Sequence, residues 1–137
     1  MADVQEKNKE IVRRFNKVYV ETGDQAVYDE IVSPDFKNYV TQGAAPGNRE
    51  EALQFYIGFR SAFPDVKVII HDQFADGDVV VTRKAYQGTH SGPFMGIAAT
   101  NKHVSIPVID IIRLRGGQYV EHWGSADMMG LMQQLRV

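Results

Sequence analysis

Asp110 and His122 are the two side chains whose types and spacing most readily do acid–base chemistry. They stand in residues 104–127, VSIPVIDIIRLRGGQYVEHWGSAD, which read as two β-strand runs joined at Arg115-Gly116-Gly117. A type I turn with Gly117 in the left-handed bulge position is the connection this spacing predicts. It sets Leu114 opposite Gln118 and therefore Asp110 opposite His122. Alternation then puts Val108, Asp110 and Ile112 on one face with Val120, His122, Gly124 and Ala126. A carboxylate facing an imidazole on an apolar surface suits proton transfer. Imidazole titrates near working pH in its unperturbed state, and an adjacent carboxylate fixes its tautomer. The same pair would equally serve as a satisfied buried contact that only holds the hairpin in register.

If the pair is catalytic, His122 removes a proton next to a carbonyl while Asp110 orients it. Tyr39, Asn38 or His90 are then candidates to hydrogen-bond the developing enolate oxygen. Asp127 is a candidate second carboxylate at the pocket edge, although it precedes a helical stretch and capping the Met129 or Gly130 amide is its cheapest explanation. Phe15, Tyr19, Phe55, Tyr56, Phe59 and Phe63 read as core, with Phe15, Tyr19 and Phe59 also candidate walls for a hydrophobic ligand. His71 and His103 read as exposed. A metal site built from His90, His122 and Asp110 has no ligand-spacing motif behind it, so no metal is expected.

Composition narrows the classes. The 137 residues are 44% apolar and 23% charged, with a net charge of −2, as expected of one globular domain spanning 1–137. Lys and Arg are scattered, so neither a nucleic-acid partner nor a membrane surface is expected. Cysteine is absent, which removes disulfides, thiolate nucleophiles and Cys-based metal sites. The polar start, MADVQEKNKE, has no apolar signal core, and a cytoplasmic location is the expectation.

The elements that must position the pair come in order along the chain. Asp3 with Glu6 forms a capping box for a first helix carrying Val4, Ile11, Val12, Phe15, Val18 and Tyr19 inward. Gly23 stops it, and Asp24 caps a short second helix through Val27, Ile31 and Val32 that ends at Ser33-Pro34. Residues 36–40 read as a short strand and 41–47 as a loop. Asn48 with Glu51 opens a third helix that Pro64 closes. Residues 66–74 and 79–89 are strands joined across Asp76-Gly77, and 91–102 are a long connection before the central hairpin. Residues 128–135 form a last short helix. Helices followed by hairpin-joined strands predict an α+β domain, whose curled antiparallel sheet leaves a concave face for a small ligand. Trp123 falls on the opposite face with Ile109, Ile111, Tyr119 and Glu121, which predicts a homodimer through the outer sheet face.

Several segments resemble a known group. Gly88-Thr89-His90-Ser91-Gly92, Phe94-Met95-Gly96-Ile97, Ile109-Asp110-Ile111, Val120-Glu121-His122-Trp123-Gly124 and the run from Asp127 to Leu135 are similar to the SnoaL-like polyketide and ester cyclases of the nuclear-transport-factor-2-like superfamily. The resemblance implies a cone-shaped α+β barrel with an internal pocket. It also implies ring closure on polyketide esters by intramolecular aldol chemistry, without metal or organic cofactor. In that group the acid/base aspartate aligns with Gly124 and a histidine of the preceding strand aligns with Asp110. Tyr39 stands where many such sequences carry a histidine. The group's catalytic pair is therefore not reproduced, and a different carboxylate–imidazole pair occupies the same face. The expected function is a cofactor-independent acid–base enzyme on a polyketide-like ketone or ester; the alternative is a small-molecule-binding domain of the same fold.

Overall fold

The first helix starts where Asp3 accepts a hydrogen bond from the Glu6 amide at 2.8 Å. The computed structural model describes residues 3–40 and 45–136. Helix α1 (Val4–Arg14) runs without a break into a π-helical stretch, Phe15–Val20, a winding usually confined to single functional turns. It buries Phe15, Asn16, Tyr19 and Val20 together. Asp24 caps α2 (Gln25–Ile31) through the Ala26 amide at 3.1 Å. The backbone becomes extended at Val32, so β1 is Val32–Asn38. It starts four residues before the strand expected at 36–40 and takes in Ser33-Pro34. Of the expected 41–47 loop, residues 41–44 lie outside the described residues. Helix α3 (Arg49–Ala62) opens on the predicted capping box of Asn48 and Glu51.

Strands β2 (Lys67–Asp76), β3 (Val79–Thr89), β4 (His103–Arg115) and β5 (Gln118–Ala126) follow, and α4 (Met128–Arg136) ends the chain. The sheet order is β1-β5-β4-β3-β2, antiparallel except where β1 runs parallel to β5. The architecture is α+β with a mixed sheet. It is not closed into a barrel: β1 and β2 are its edges. One core packs α1, the π-turn and α2 onto the sheet around Tyr19, Tyr28 and Leu114. A second joins the end of α3 to α4 around Phe63 and Leu131.

The central hairpin differs from expectation. Gly116 (φ 57°) and Gly117 (φ 78°) form a two-residue turn with both residues left-handed, and Arg115 pairs with Gln118. This is the tighter connection that matches strand twist. Leu114 then pairs with Tyr119 but Arg113 pairs with Glu121, so Val120 is the extra residue of a bulge. Beyond it His122 lies opposite Ile112, and Asp110 lies opposite Gly124. Tyr119 is therefore not on the outer face; it is buried, its ring centroid 4.7 Å from that of Phe15.

Candidate active site

Strand β4 alternates cleanly, burying Val104, Ile106, Val108, Asp110, Ile112 and Leu114. Asp110 is the one charged member of that row. Although not directly opposite, it meets His122 across the ladder, with Oδ1 2.7 Å from Nε2. The missing side chain at Gly124 permits this. A Cβ there would stand 2.8 Å from Asp110 Oδ1 and 2.8 Å from the Ile109 carbonyl oxygen.

Two residues that the sequence did not mark out complete the arrangement. Lys84 is 3% exposed and places Nζ 2.5 Å from Asp110 Oδ2. The same ammonium donates to Asn16 Oδ1 at 2.7 Å, while Asn16 Nδ2 donates to the Val12 carbonyl at 2.8 Å. A buried ammonium is tolerable only with such partners. On the other side, His122 Nδ1 lies 3.1 Å from Asn38 Oδ1, which the Val40 amide holds at 3.0 Å. A continuous line of polar contacts thus runs from Asn16 through Lys84, Asp110 and His122 to Asn38. Burial alone would raise the Asp110 carboxyl. The Lys84 charge and the His122 hydrogen bond outweigh it and hold the group well below the usual carboxylate range. Asp110 is therefore an ionised acceptor facing His122 Nε2. When Nδ1 is protonated, Asn38 Oδ1 is its acceptor.

A cavity of about 260 Å³ opens beside this line. Asp110, His122, Asn38 and Phe15 line it, as do Tyr28, Tyr56, Tyr86 and Tyr119. The other candidates are not among its lining residues. Tyr39 points the opposite way from Asn38 and stacks on Trp123, centroids 5.3 Å apart at 6°. His90 is fully buried beneath the 91–102 connection, its Nδ1 accepting from the Thr100 amide at 3.2 Å and its ring against Phe63. Tyr19 belongs to the first core and Phe59 to the second. Asp127 caps α4 by accepting from the Gly130 amide at 2.8 Å. The signal that would have found Lys84 is its parity: in β3 it follows Val80 and Thr82 on the inward-facing row.

The chain matches the family model described as SnoaL-like polyketide cyclase over residues 9–135. Among solved structures it is similar to wild-type IdmH of Streptomyces antibioticus, a candidate polyketide cyclase. That pair has 29% identity and a TM-score of 0.84, covering 95% of this chain and 99% of that one. TsrD of Streptomyces laurentii has 25% identity and a TM-score of 0.83, with 98% of each chain covered. A protein of Catenulispora acidiphila with a ketosteroid isomerase-like fold shares that fold at 17% identity and a TM-score of 0.75, covering 93% of each chain. No curated protein matches the sequence.

Proposed function

The chain belongs to the SnoaL-like polyketide cyclase family, and on that premise we propose that it is a cofactor-independent acid–base enzyme of cyclase type. Its substrate is a hydrophobic, polyketide-like ketone or ester. The observation that carries this reading is the Asp110–His122 contact of 2.7 Å on the wall of an apolar cavity. A proton moves from the ligand carbon next to a carbonyl to His122 Nδ1. The C–H electron pair becomes the enolate double bond, and the charge rests on the ligand oxygen. The enolate carbon then attacks a second carbonyl of the same molecule, whose oxygen takes the proton back from His122. Asp110 holds Nε2–H throughout and is never protonated.

Asp127 has no part in this sequence, because its carboxylate is engaged at the start of α4. The reading includes a cytoplasmic site of action and a homodimer through the outer sheet face, where Ile109 is 49% exposed and Trp123 and Tyr39 stack. A second reading, binding without turnover, is favoured by one observation: both Asp110 oxygens and both His122 nitrogens already have protein partners.

Incubation with aromatic ketones and keto esters in heavy water separates the two. Turnover gives a ring-closed product, or deuterium at the carbon next to the carbonyl, detected by mass spectrometry. A panel recovered unlabelled and unchanged, despite measurable binding, sinks the enzyme reading.

A further inference from the structure

Three tyrosines line the cavity close enough to Asp110 for its charge to act on their hydroxyls. They come from Tyr56 of α3, Tyr86 of β3 and Tyr119 of β5. The other lining tyrosine, Tyr28, is different, because its hydroxyl donates to the Arg49 carbonyl at 2.7 Å. None of the three has a carboxylate, carbonyl or amide acceptor among the described residues. The fully buried side-chain nitrogen or oxygen lacking a partner among those residues is His90 Nε2 alone. The Tyr56 and Tyr86 side chains are hydrogen-bonded to each other, and all three residues line the cavity.

Burial first pushes all three phenols well above their ordinary pKa. Asp110 adds to this at each, neighbouring tyrosines add to it at Tyr56 and Tyr119, and the hydrogen bond with Tyr56 only partly opposes it at Tyr86. They keep their protons and remain donors. The oxygen acceptors beside them are already engaged: Asp110 by Lys84 and His122, and Asn38 Oδ1 by the Val40 amide. The tyrosines thus offer hydrogens, and the acceptor left open beside them is His122 Nδ1, the base of the acid–base reading. Volume sets the second constraint. An engineered cavity of about 150 Å³ holds benzene, and sites for drug-sized ligands begin at about 300 Å³. The cavity here, at about 260 Å³, has room for roughly two rings on that scale.

We propose that Tyr56, Tyr86 and Tyr119 form a donor-lined end that selects a compact ligand of one or two fused rings, inserted oxygen-first with an enolate or phenolate oxygen against the hydroxyls. Further rings stay outside, against Phe55, which lines the cavity and is 54% exposed. The enolate half of the proposal rests on the acid–base reading; the size and donor selection rest on the cavity.

The test uses 2-naphthol, its methyl ether 2-methoxynaphthalene, and three- and four-ring hydroxyarenes as probes, with absorption spectra reporting the ionised fraction. The expected result is that bound 2-naphthol ionises more readily than in water. Tyr86→Phe and Tyr119→Phe should each weaken naphtholate binding about tenfold, the effect of one hydrogen bond to a charged group. Thermal melts check that the variants are folded. Binding of the ether, whose oxygen accepts only a neutral hydrogen bond, should fall about threefold, clearly less than that of naphtholate, and the larger arenes should bind no tighter than naphthol. Naphthol bound in neutral form overturns the proposal, as do equal losses for naphthol and ether, or affinity that climbs with each ring. If naphtholate binds ionised but no ketone exchanges its proton, the acid–base reading fails and the selection stands. If the protein exchanges ketone protons but binds naphthol only as the neutral molecule, the selection fails and the acid–base reading stands.

Discussion

The interior holds two histidines whose surroundings could hardly differ more. His122 has a partner on each ring nitrogen, a carboxylate on one side and a fixed amide oxygen on the other, and its ring borders a cavity. His90 is more deeply buried. One of its nitrogens accepts from Thr100 and the other faces apolar surroundings with no partner among the described residues. Imidazole is the same group in both places. What sets the one at 122 apart is a carboxylate kept ionised by a buried lysine, together with a space that a ligand can enter. Burial without those two features gives a packing residue.

The largest effect is expected where that difference is removed. Asp110→Asn leaves the shape of the site but takes away the acceptor that fixes the His122 tautomer. Ketone proton exchange should fall by about 10²–10⁴, the usual contribution of positioned acid–base groups, as followed by NMR in heavy water. A loss under about threefold would reduce Asp110 to a structural contact.

Lys84→Met sharpens the comparison through stability. It strips the buried Asp110 of its counter-charge and should cost about 3–5 kcal/mol in urea unfolding. Adding Asp110→Asn to it should restore a large part of that loss, because the uncompensated charge disappears. Strict additivity of the two costs would argue against a coupled pair.

The depressed Asp110 carboxyl predicts a pH dependence. Its pKa is lower folded than unfolded, so the stability it contributes is complete above the unfolded value of about 4 and is lost as pH falls through the folded value. The acid limb of stability should be shallower in Asp110→Asn than in the wild type. An identical limb in both proteins would assign acid unfolding to other groups.

Gly124→Ala tests the room that glycine leaves. Its Cβ meets both a carboxylate oxygen and a backbone carbonyl, so Asp110 must move off His122; about 1–3 kcal/mol of destabilisation and impaired exchange are expected together. Unchanged melting and unchanged exchange would show that the ladder relaxes. The smallest catalytic effect belongs to His90→Phe. It removes the acceptor for the Thr100 amide and should cost about 1–3 kcal/mol of stability, with exchange within about twofold of wild type.

How much of this was legible in the sequence follows from the hairpin. The tight turn at Gly116-Gly117 shifts the pairing by one residue from the expected register, and the bulge at Val120 shifts it by one more. Two single shifts restore the parity of a strand. Asp110 and His122 therefore share the expected face although they do not stand opposite each other. Tyr119 lies between the turn and the bulge, where only one shift applies, and its face is the reverse of the one expected. The capping residues Asp3, Asp24 and Asn48 were readable because a cap is a local contact. Lys84 was legible only by its parity in β3, a signal set against the ordinary preference of a strand lysine for water. Only the third dimension supplies Asn16 from the π-turn and Asp110 from β4 to hold it. His90 and Tyr39 failed as site candidates for the same reason: a neighbour in sequence fixed neither what covers the one nor what stacks on the other.

The central claim is that His122, and not merely a hydrophobic cavity, moves the proton. The most direct test is the deuterium-exchange rate of 2-tetralone, an enolisable two-ring ketone, in wild type and in His122→Ala at neutral pH. Thermal melts and 2-methoxynaphthalene binding establish that both proteins are folded and hold a ligand. The account predicts that the wild type exchanges well above the buffer rate and that His122→Ala falls by about 10² or more toward it. A variant that binds the ether normally and exchanges the ketone as fast as wild type would contradict it.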